Sequence, residues 1–246
     1  MGNIVILTGA GISAESGMGT FRDADGLWTQ YSIEDVATPG GFARNPGLVH
    51  DFYNIRRIRA AEAQPNAAHR ALTRLQAEWP GPVTIVTQNV DGLHEKAGSD
   101  GVLHMHGELA GALCQGCDHR WPAPPDMSVT LACPSCGAAR TRPDVVWFGE
   151  IPYHMAEIAG LLDSADIFAS VGTSGQVYPA AAFVQQAREA GAHTIELNLD
   201  PSDIAHDFDE VSTGLASQVV PAWVDDMLAG AAGGQAAQAD PERPVT

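Results

Sequence analysis

Positive charge is scarce in this sequence. Thirteen Lys and Arg stand against thirty Asp and Glu, a formal net charge of −17 over 246 residues. Binding to a phosphate backbone needs a basic patch, so no nucleic-acid partner is expected. Basic protein tails are electrostatically the better match for such a surface. Long apolar runs are missing too. The stretch Ile4-Val5-Ile6-Leu7 is far shorter than the about 20 residues needed to cross a membrane, and too short for a signal core. Position 6 is Ile rather than Ser or Thr, so Gly2 does not read as a myristoylation site. No targeting segment and no membrane partner are expected, and the location expected is the cytoplasm.

Cysteine is also sparse, at four residues, but its placement is ordered. Cys114, Cys117, Cys133 and Cys136 read C-x2-C-x15-C-x2-C, the spacing of a zinc site. Two disulfides or four free thiols are the alternatives. Paired C-x-x-C units suit one tetrahedral ion, and a cytosolic chain keeps thiols reduced. Gln115-Gly116 inside the first pair, and Pro134-Ser135 with Gly137 at the second, give knuckle-like settings. One Zn2+ is expected, and it is structural, because four thiolates leave no position open for water.

What the chain does contain is ordinary globular material, 45% hydrophobic and 17% charged, enough for one domain with a satellite or for two domains. Short apolar runs at residues 3–8, 83–87, 167–171, 194–197 and 218–220 predict strands. Helical patterns at 67–78, 155–163 and 180–190 lie between them. The alternation predicts an α/β fold: a Rossmann-like parallel sheet domain with a smaller zinc-binding and helical lobe. The sheet domain is expected over 1–31, 67–110 and 143–230, the lobe over 32–66 and 111–142, and a disordered tail over 231–246. Polar residues follow the strands at Gly9-Ala10-Gly11, Gln88–Asp91, Gly172–Ser174 and Asn198–Asp200. In an open parallel sheet these positions converge on one crevice at the carboxyl ends of the strands.

The first glycine turn runs Gly9-Ala10-Gly11-Ile12-Ser13-Ala14-Glu15-Ser16-Gly17 and continues through Phe21-Arg22 to Trp28. It starts G-x-G, but its next glycine comes too late for the usual dinucleotide fingerprint. Small residues there let backbone N–H groups approach a pyrophosphate, and Arg22 offers a cation. By itself such a turn is weak evidence, since glycine after a strand is often only a tight turn. The whole stretch resembles the signature of the sirtuin family. Gln88-Asn89-Val90-Asp91-Gly92-Leu93-His94 is similar to that family's second NAD motif, and His104-Met105-His106-Gly107-Glu108 to its catalytic histidine motif. The cysteine quartet, Val145-Val146-Trp147-Phe148-Gly149-Glu150, Gly172-Thr173-Ser174 and Asn198-Leu199-Asp200 follow in the family's order.

The resemblance implies an NAD-consuming lysine deacylase rather than a hydride-transfer enzyme. In the family an acyl-lysine oxygen attacks C1′ of the nicotinamide ribose and expels nicotinamide. A histidine base then helps a ribose hydroxyl attack, and water releases lysine and an O-acyl-ADP-ribose. The matching base is His106, whose imidazole titrates near working pH. Asn89 and Asp91 are expected to position nicotinamide and ribose, although an Asx turn at a strand end is the plainer reading of both. Thr173 and Ser174 are expected at the adenosine ribose, with Asn198, Leu199 and Asp200 beside it. Ala216 is expected at the adenine edge. Val145–Gly149 is expected to form a strand on which substrate peptide docks, with Val145 and Trp147 alternating in facing with Val146 and Phe148.

Tyr53-Asn54-Ile55-Arg56 is similar to the Tyr-x-x-Arg of the sirtuin class that removes acidic acyl groups. Spaced i and i+3 on a helix, phenol and guanidinium share a face, and an arginine fork with a tyrosine hydroxyl suits a carboxylate. The alternative is a solvated Arg56 alongside surface Arg57 and Arg59. Ala24 suits a roomy pocket, and Gly19 departs from the proline or arginine common in relatives. The expectation is a monomer that removes succinyl, malonyl and acetyl groups from lysines of protein substrates. Mono-ADP-ribosyl transfer on the same scaffold, or a catalytically silent zinc module, are the rivals.

Overall fold

Nine strands form among the described residues, 2–19 and 30–238 of a computed structural model, those of the sheet centre from β-branched and aliphatic runs. In chain order they are β1 (Ile4–Thr8), β2 (Val83–Thr87), β3 (Leu103–His104), β4 (Gly107–Cys114), β5 (Arg120–Pro122), β6 (Thr141–Val145), β7 (Ile167–Val171), β8 (His193–Asn198) and β9 (Glu210–Thr213). The helices are α1 (Ala10–Ala14), α2 (Ile33–Val36), α3 (Pro39–Arg44), α4 (Pro46–Glu62), α5 (Ala67–Glu78), α6 (Leu93–Ala97), α7 (Met155–Asp163), α8 (Phe183–Glu189) and α9 (Ala216–Gln238). Six strands pair in the order β3-β2-β1-β7-β8-β9, every pair parallel. The fold is mixed α/β.

Alternation along β1 divides the interior into two layers. Ile4 and Ile6 face Leu72 and Leu75 of α5 and Val220, Trp223 and Val224 of α9. Val5 and Leu7 face Ile158 and Leu162 of α7 and Phe183, Val184 and Ala187 of α8. A sheet covered on both sides needs strands that are apolar throughout, and all five residues of β1 are buried. A third apolar cluster gathers Val49, Phe52 and Tyr53 of α4 with Leu93, Leu109, Val145 and Trp147.

The remaining strands form a separate antiparallel sheet, β5-β4-β6. Its pair Gly107–Val145 lies just past the end of β3 in the parallel sheet. Gly107 has φ +74°, and a Cβ there would lie 2.2 Å from the Asp144 carbonyl oxygen. Only glycine permits this crossing immediately after His106.

Several expectations change. Gln218–Val220 is helical, the first turns of α9, not a strand. Val220, Trp223, Val224 and Met227 recur at i, i+3, i+4 and i+7 and pack on one core, a helical period that outweighs a short β-branched run. Pro221 stands at the sixth helical position. The tail expected to be disordered from 231 is helical through Gln238, in keeping with the high helix propensity of its alanines; positions beyond 238 lie outside the described residues. The outermost strand, β9, is exposed at all four residues and so lacks the apolar signature of β1, β2, β7 and β8. Of Val145–Gly149 only Val145 is in a strand, because the next N–H groups turn to other acceptors, described below. Arg57 is buried rather than at the surface: its Nε donates to the Leu109 carbonyl (2.8 Å) and Nη1 to Asn54 Oδ1 (2.7 Å).

Candidate active site and metal centre

β1 and β7 are neighbours although most of the chain separates them, which is where the strand order reverses and where a doubly wound sheet opens a crevice. A glycine turn follows each. Gly9 N–H donates to the Val171 carbonyl (3.0 Å) and Gly11 N–H to the Gly172 carbonyl (2.9 Å). A Cβ on Gly11 would lie 2.7 Å from Gly172 Cα, and one on Gly172 would lie 2.5 Å from the Ile12 nitrogen. The glycines therefore serve the mutual approach of two turns as well as leaving room for a ligand. Ala10 is half-buried, and Ala14 and Gly17 are exposed beside them. Ile12 is fully buried in the core, so only its backbone is available to the crevice. Glu15 accepts from Ser217 N–H (2.9 Å) and Oγ–H (2.6 Å), capping the start of α9, where a carboxylate is favoured. Phe21, Arg22, Ala24 and Trp28 lie outside the described residues.

At the end of β2, the Asn89 amide donates to the Gly9 carbonyl (3.0 Å) and to Ser13 Oγ (3.1 Å). Asp91 accepts from Leu93 N–H (3.1 Å). Burial pushes the Asp91 carboxyl above its usual pKa, opposed by the Leu93 N–H, the Ser13 hydroxyl and the Arg56 charge. Beneath these residues lies a polar layer of which the motifs held only Ser13 and His94. Thr8 Oγ1 donates to Thr87 Oγ1 (2.8 Å), which leaves it to accept from His94 Nε2 (3.0 Å). His69 Nε2 lies 3.4 Å from Ser13 Oγ, and the two imidazoles meet edge to face at 5.0 Å. Burial lowers the pKa of His69 to about 4 and that of His94 to about 3, so both are neutral. The signal for His69 was its place three residues after Asn66: the two form a capping box at the start of α5.

His106 sits in the turn between β3 and β4, half-buried. Its Nδ1 lies 3.1 Å from the Gln88 carbonyl oxygen. A carbonyl can only accept, so Nδ1 carries the proton and Nε2 keeps its lone pair. Burial lowers the His106 pKa, against the pull of that carbonyl. His104 differs. Burial opposes its charge, but Glu95 at 2.8 Å and Glu108 at 3.6 Å raise its pKa overall, and its Nδ1 donates to the Asn89 carbonyl (3.2 Å).

Across the crevice, the Thr173 hydroxyl is paired with Ser170 Oγ (2.8 Å), while Asn198 Nδ2 donates to the Thr173 carbonyl (2.7 Å). Ser174 Oγ accepts from Gln176 N–H (3.3 Å). Leu199 and Asp200 are exposed, and Ala216 is half-buried as the first residue of α9.

Beside the crevice, the indole of Trp147 donates to Tyr53 Oη (3.0 Å), and both side chains are buried. Burial raises the Tyr53 pKa, so the phenol is neutral, and Arg56 lies close enough to interact with both Tyr53 and Asp91. Val145 and Trp147 are buried, Val146 is half-buried and Phe148 and Gly149 are exposed, the expected alternation. Val146 N–H donates to the His106 carbonyl (2.8 Å), Trp147 N–H to Glu150 Oε2 (2.8 Å) and Phe148 N–H to the Ala37 carbonyl (2.9 Å).

The cysteine sulfurs all lie within 4.8 Å of one another, with Cys114–Cys136 at 3.7 Å and Cys117–Cys133 at 3.8 Å. Sulfurs bound tetrahedrally at about 2.3 Å from one zinc stand about 3.8 Å apart, and disulfide sulfurs about 2.05 Å. The spacing fits the ion. Each pair is a knuckle: Gly116 N–H points to Cys114 Sγ (3.3 Å) and Ser135 N–H to Cys133 Sγ (3.4 Å). The next positions, Asp118 and Gly137, both take positive φ.

Known proteins are similar to this chain in sequence and in fold. The Sir2 family matches residues 9–179. An NAD-dependent protein deacylase of Caulobacter vibrioides is 55% identical over 230 residues, covering 92% of this chain and 97% of the relative. One from Salmonella typhimurium is 53% identical, covering 92% and 84%. A solved Sir2 homolog–NAD complex superposes with TM-score 0.86 at 36% identity, covering 93% of this chain and 90% of that one. A Sir2 bound to acetylated peptide gives 0.78 at 25% identity, covering 92% and 93%. The chain belongs to the Sir2 family.

Proposed function

We propose that this chain, an NAD-dependent protein deacylase, is monomeric and cytoplasmic and removes succinyl, malonyl and acetyl groups from lysine. The observation that carries the reading is the His106–Gln88 contact, which leaves Nε2 a free base, in a chain whose relatives are named deacylases. A cysteine-only zinc site needs reduced thiols, which favours the cytoplasm.

NAD, when bound, supplies an activated ribose carbon and nicotinamide as leaving group. The two glycine turns and residues 9–17 hold the pyrophosphate side, with Thr173, Ser174, Asn198, Leu199, Asp200 and Ala216 at the adenosine end. The Asn89 amide, fixed by Gly9 and Ser13, orients the nicotinamide end; the Asp91 carboxyl orients the ribose. His106 Nε2 takes the proton of a ribose hydroxyl, and its lowered pKa keeps it unprotonated at neutral pH. Peptide docks along Val145–Gly149. Three of that segment's N–H groups are already engaged, and the Trp147 carbonyl accepts from the Glu150 N–H (3.0 Å), so the main-chain pairing falls to the carbonyls of Val146 and Phe148. Tyr53 and Arg56 read the carboxylate of an acidic acyl group. Cys114, Cys117, Cys133 and Cys136 would hold zinc, which supplies fold and no open coordination position.

The test is NAD-dependent release of nicotinamide from a peptide carrying acyl-lysine. His106→Ala should lower kcat by about 10²- to 10⁴-fold while NAD still raises the Tm. In the wild type, the acid limb of kcat/KM should fall below pH 6.5. Turnover retained in the variant removes His106 as base, and nicotinamide release without loss of the acyl group moves the reading to ADP-ribosyl transfer.

A further inference from the structure

Trp147 belongs to the segment expected to meet peptide, yet its side chain is only 2% exposed. It faces α4, with its indole Nε1 3.0 Å from Tyr53 Oη. The ring is held on several sides. The Arg142 guanidinium stacks over it at 3.4 Å, and Phe42 packs against it with centroids 5.1 Å apart. Arg142 in turn grips Glu150 through both oxygens (2.6 and 2.9 Å), and Glu150 Oε2 also accepts the Trp147 backbone N–H (2.8 Å).

An indole N–H can only donate. Tyr53 Oη therefore spends acceptor capacity on Trp147 and keeps its single proton to give. Accepting one hydrogen bond also polarises the O–H and makes it a better donor. A phenol prepared in this way discriminates by chemistry: it meets an acceptor such as a carboxylate, and it has nothing to offer a methyl group. We propose that Trp147 is a specificity-determining positioning residue, fixing the Tyr53 hydroxyl as a dedicated donor toward acyl groups that end in a carboxylate. The inference rests on Tyr53 and Arg56 being the acyl readers. Burial keeps Tyr53 neutral, so the donor proton is retained across the working pH range.

The experiment is the ratio of kcat/KM on one peptide carrying succinyl-lysine and then acetyl-lysine, in Trp147→Phe, Tyr53→Phe, Arg56→Met and the Trp147→Phe/Tyr53→Phe double variant. Losing one neutral hydrogen bond corresponds to about 3- to 10-fold, expected in the succinyl-to-acetyl ratio and mainly through KM for the succinyl peptide. The loss should vanish in the Tyr53→Phe background, since Trp147 acts through that hydroxyl. Should Trp147→Phe fold poorly, benzothienylalanine at position 147 keeps the bicyclic ring and removes only the N–H. A ratio unchanged in Trp147→Phe or with benzothienylalanine, or lowered equally with and without the Tyr53 hydroxyl, overturns the role of Trp147. A ratio unchanged in Tyr53→Phe and Arg56→Met overturns the acyl-reader reading itself.

Discussion

Residues framing the crevice are tied to one another through the apolar body of the sheet. By contrast, no member of the three apolar clusters among the described residues comes from the stretch between Leu109 and Val145. Asn89, Ser13, Thr8, His69 and His94 form a polar layer packed between strands and α5, so burial itself organises them. The cysteine lobe buries little beyond Ala112, Met127, two of its cysteines and the stretch Thr141–Pro143. It leans instead on α4, where Asn54 donates to the Met127 carbonyl (2.9 Å) and Arg57 to the Leu109 carbonyl, and on four sulfurs at zinc spacing. A site inside a core is held by hydrophobic burial; a lobe without a core is held by coordination.

Removing the metal should give the largest effect and break the comparison most directly. Zinc coordination in small domains is worth about 10 kcal/mol or more, more than this lobe can recover from packing. Strong chelation, or Cys133→Ser, should abolish activity. Hydrogen exchange should then show residues 110–144 losing protection while α5, α9 and the parallel sheet keep theirs. A metal-free protein that stays active with the lobe protected would show that the lobe has a core after all.

The joint between the two regions comes next. Gly101 and Gly107 both have positive φ, but a Cβ at Gly101 meets nothing within 4 Å, while one at Gly107 would strike the Asp144 carbonyl. Gly101→Ala should cost about 1–2 kcal/mol, the left-handed penalty alone. Gly107→Ala should cost more than about 3 kcal/mol and displace the neighbouring His106, lowering kcat as well. Urea midpoints of the two variants measure the difference. Equal losses would mean that β6 yields at the crossing and does not register the histidine turn.

How much of this was readable from sequence followed the same division. β1, β2, β7 and β8 were visible because strands buried on both faces are short apolar runs that stop at Gly, Asn or Asp. The turns that follow them were visible for the same reason. β9 was not, because an exposed edge strand carries no such pattern, and the opening of α9 looked like a strand until Trp223 and Met227 are counted with Val220. Arg56 and Arg57 are the same residue type side by side. Helical phase sends one toward Tyr53 and the other into the lobe, and sequence alone does not say which face is solvated. The supporting hydroxyls Thr8 and Thr87 were hidden because their role comes from strand pairing across a long separation: they meet only because β1 and β2 run in register.

The smallest predicted effect concerns that layer's response to acid. His69 and His94 are depressed to about 4 and about 3 from an ordinary 6.5. Between pH 6.5 and those values the unfolded chain therefore binds protons that the folded chain refuses. Stability from the neutral pair is fully present above pH 6.5 and is lost as pH falls, with a slope of up to about 1.4 kcal/mol per pH unit for each histidine. Asp91 acts in the opposite sense, since its raised carboxyl gains stability on acidification and blunts the slope. The urea midpoint should drop from pH 7.5 to pH 5.5 with zinc still bound. His94→Gln should flatten that dependence, although it lowers stability at pH 7.5 by removing the bond to Thr8. A dependence equally steep in the variant would place the acid-sensitive element in the cysteine lobe, where protonated thiolates release metal, and would reverse which of the two regions yields first.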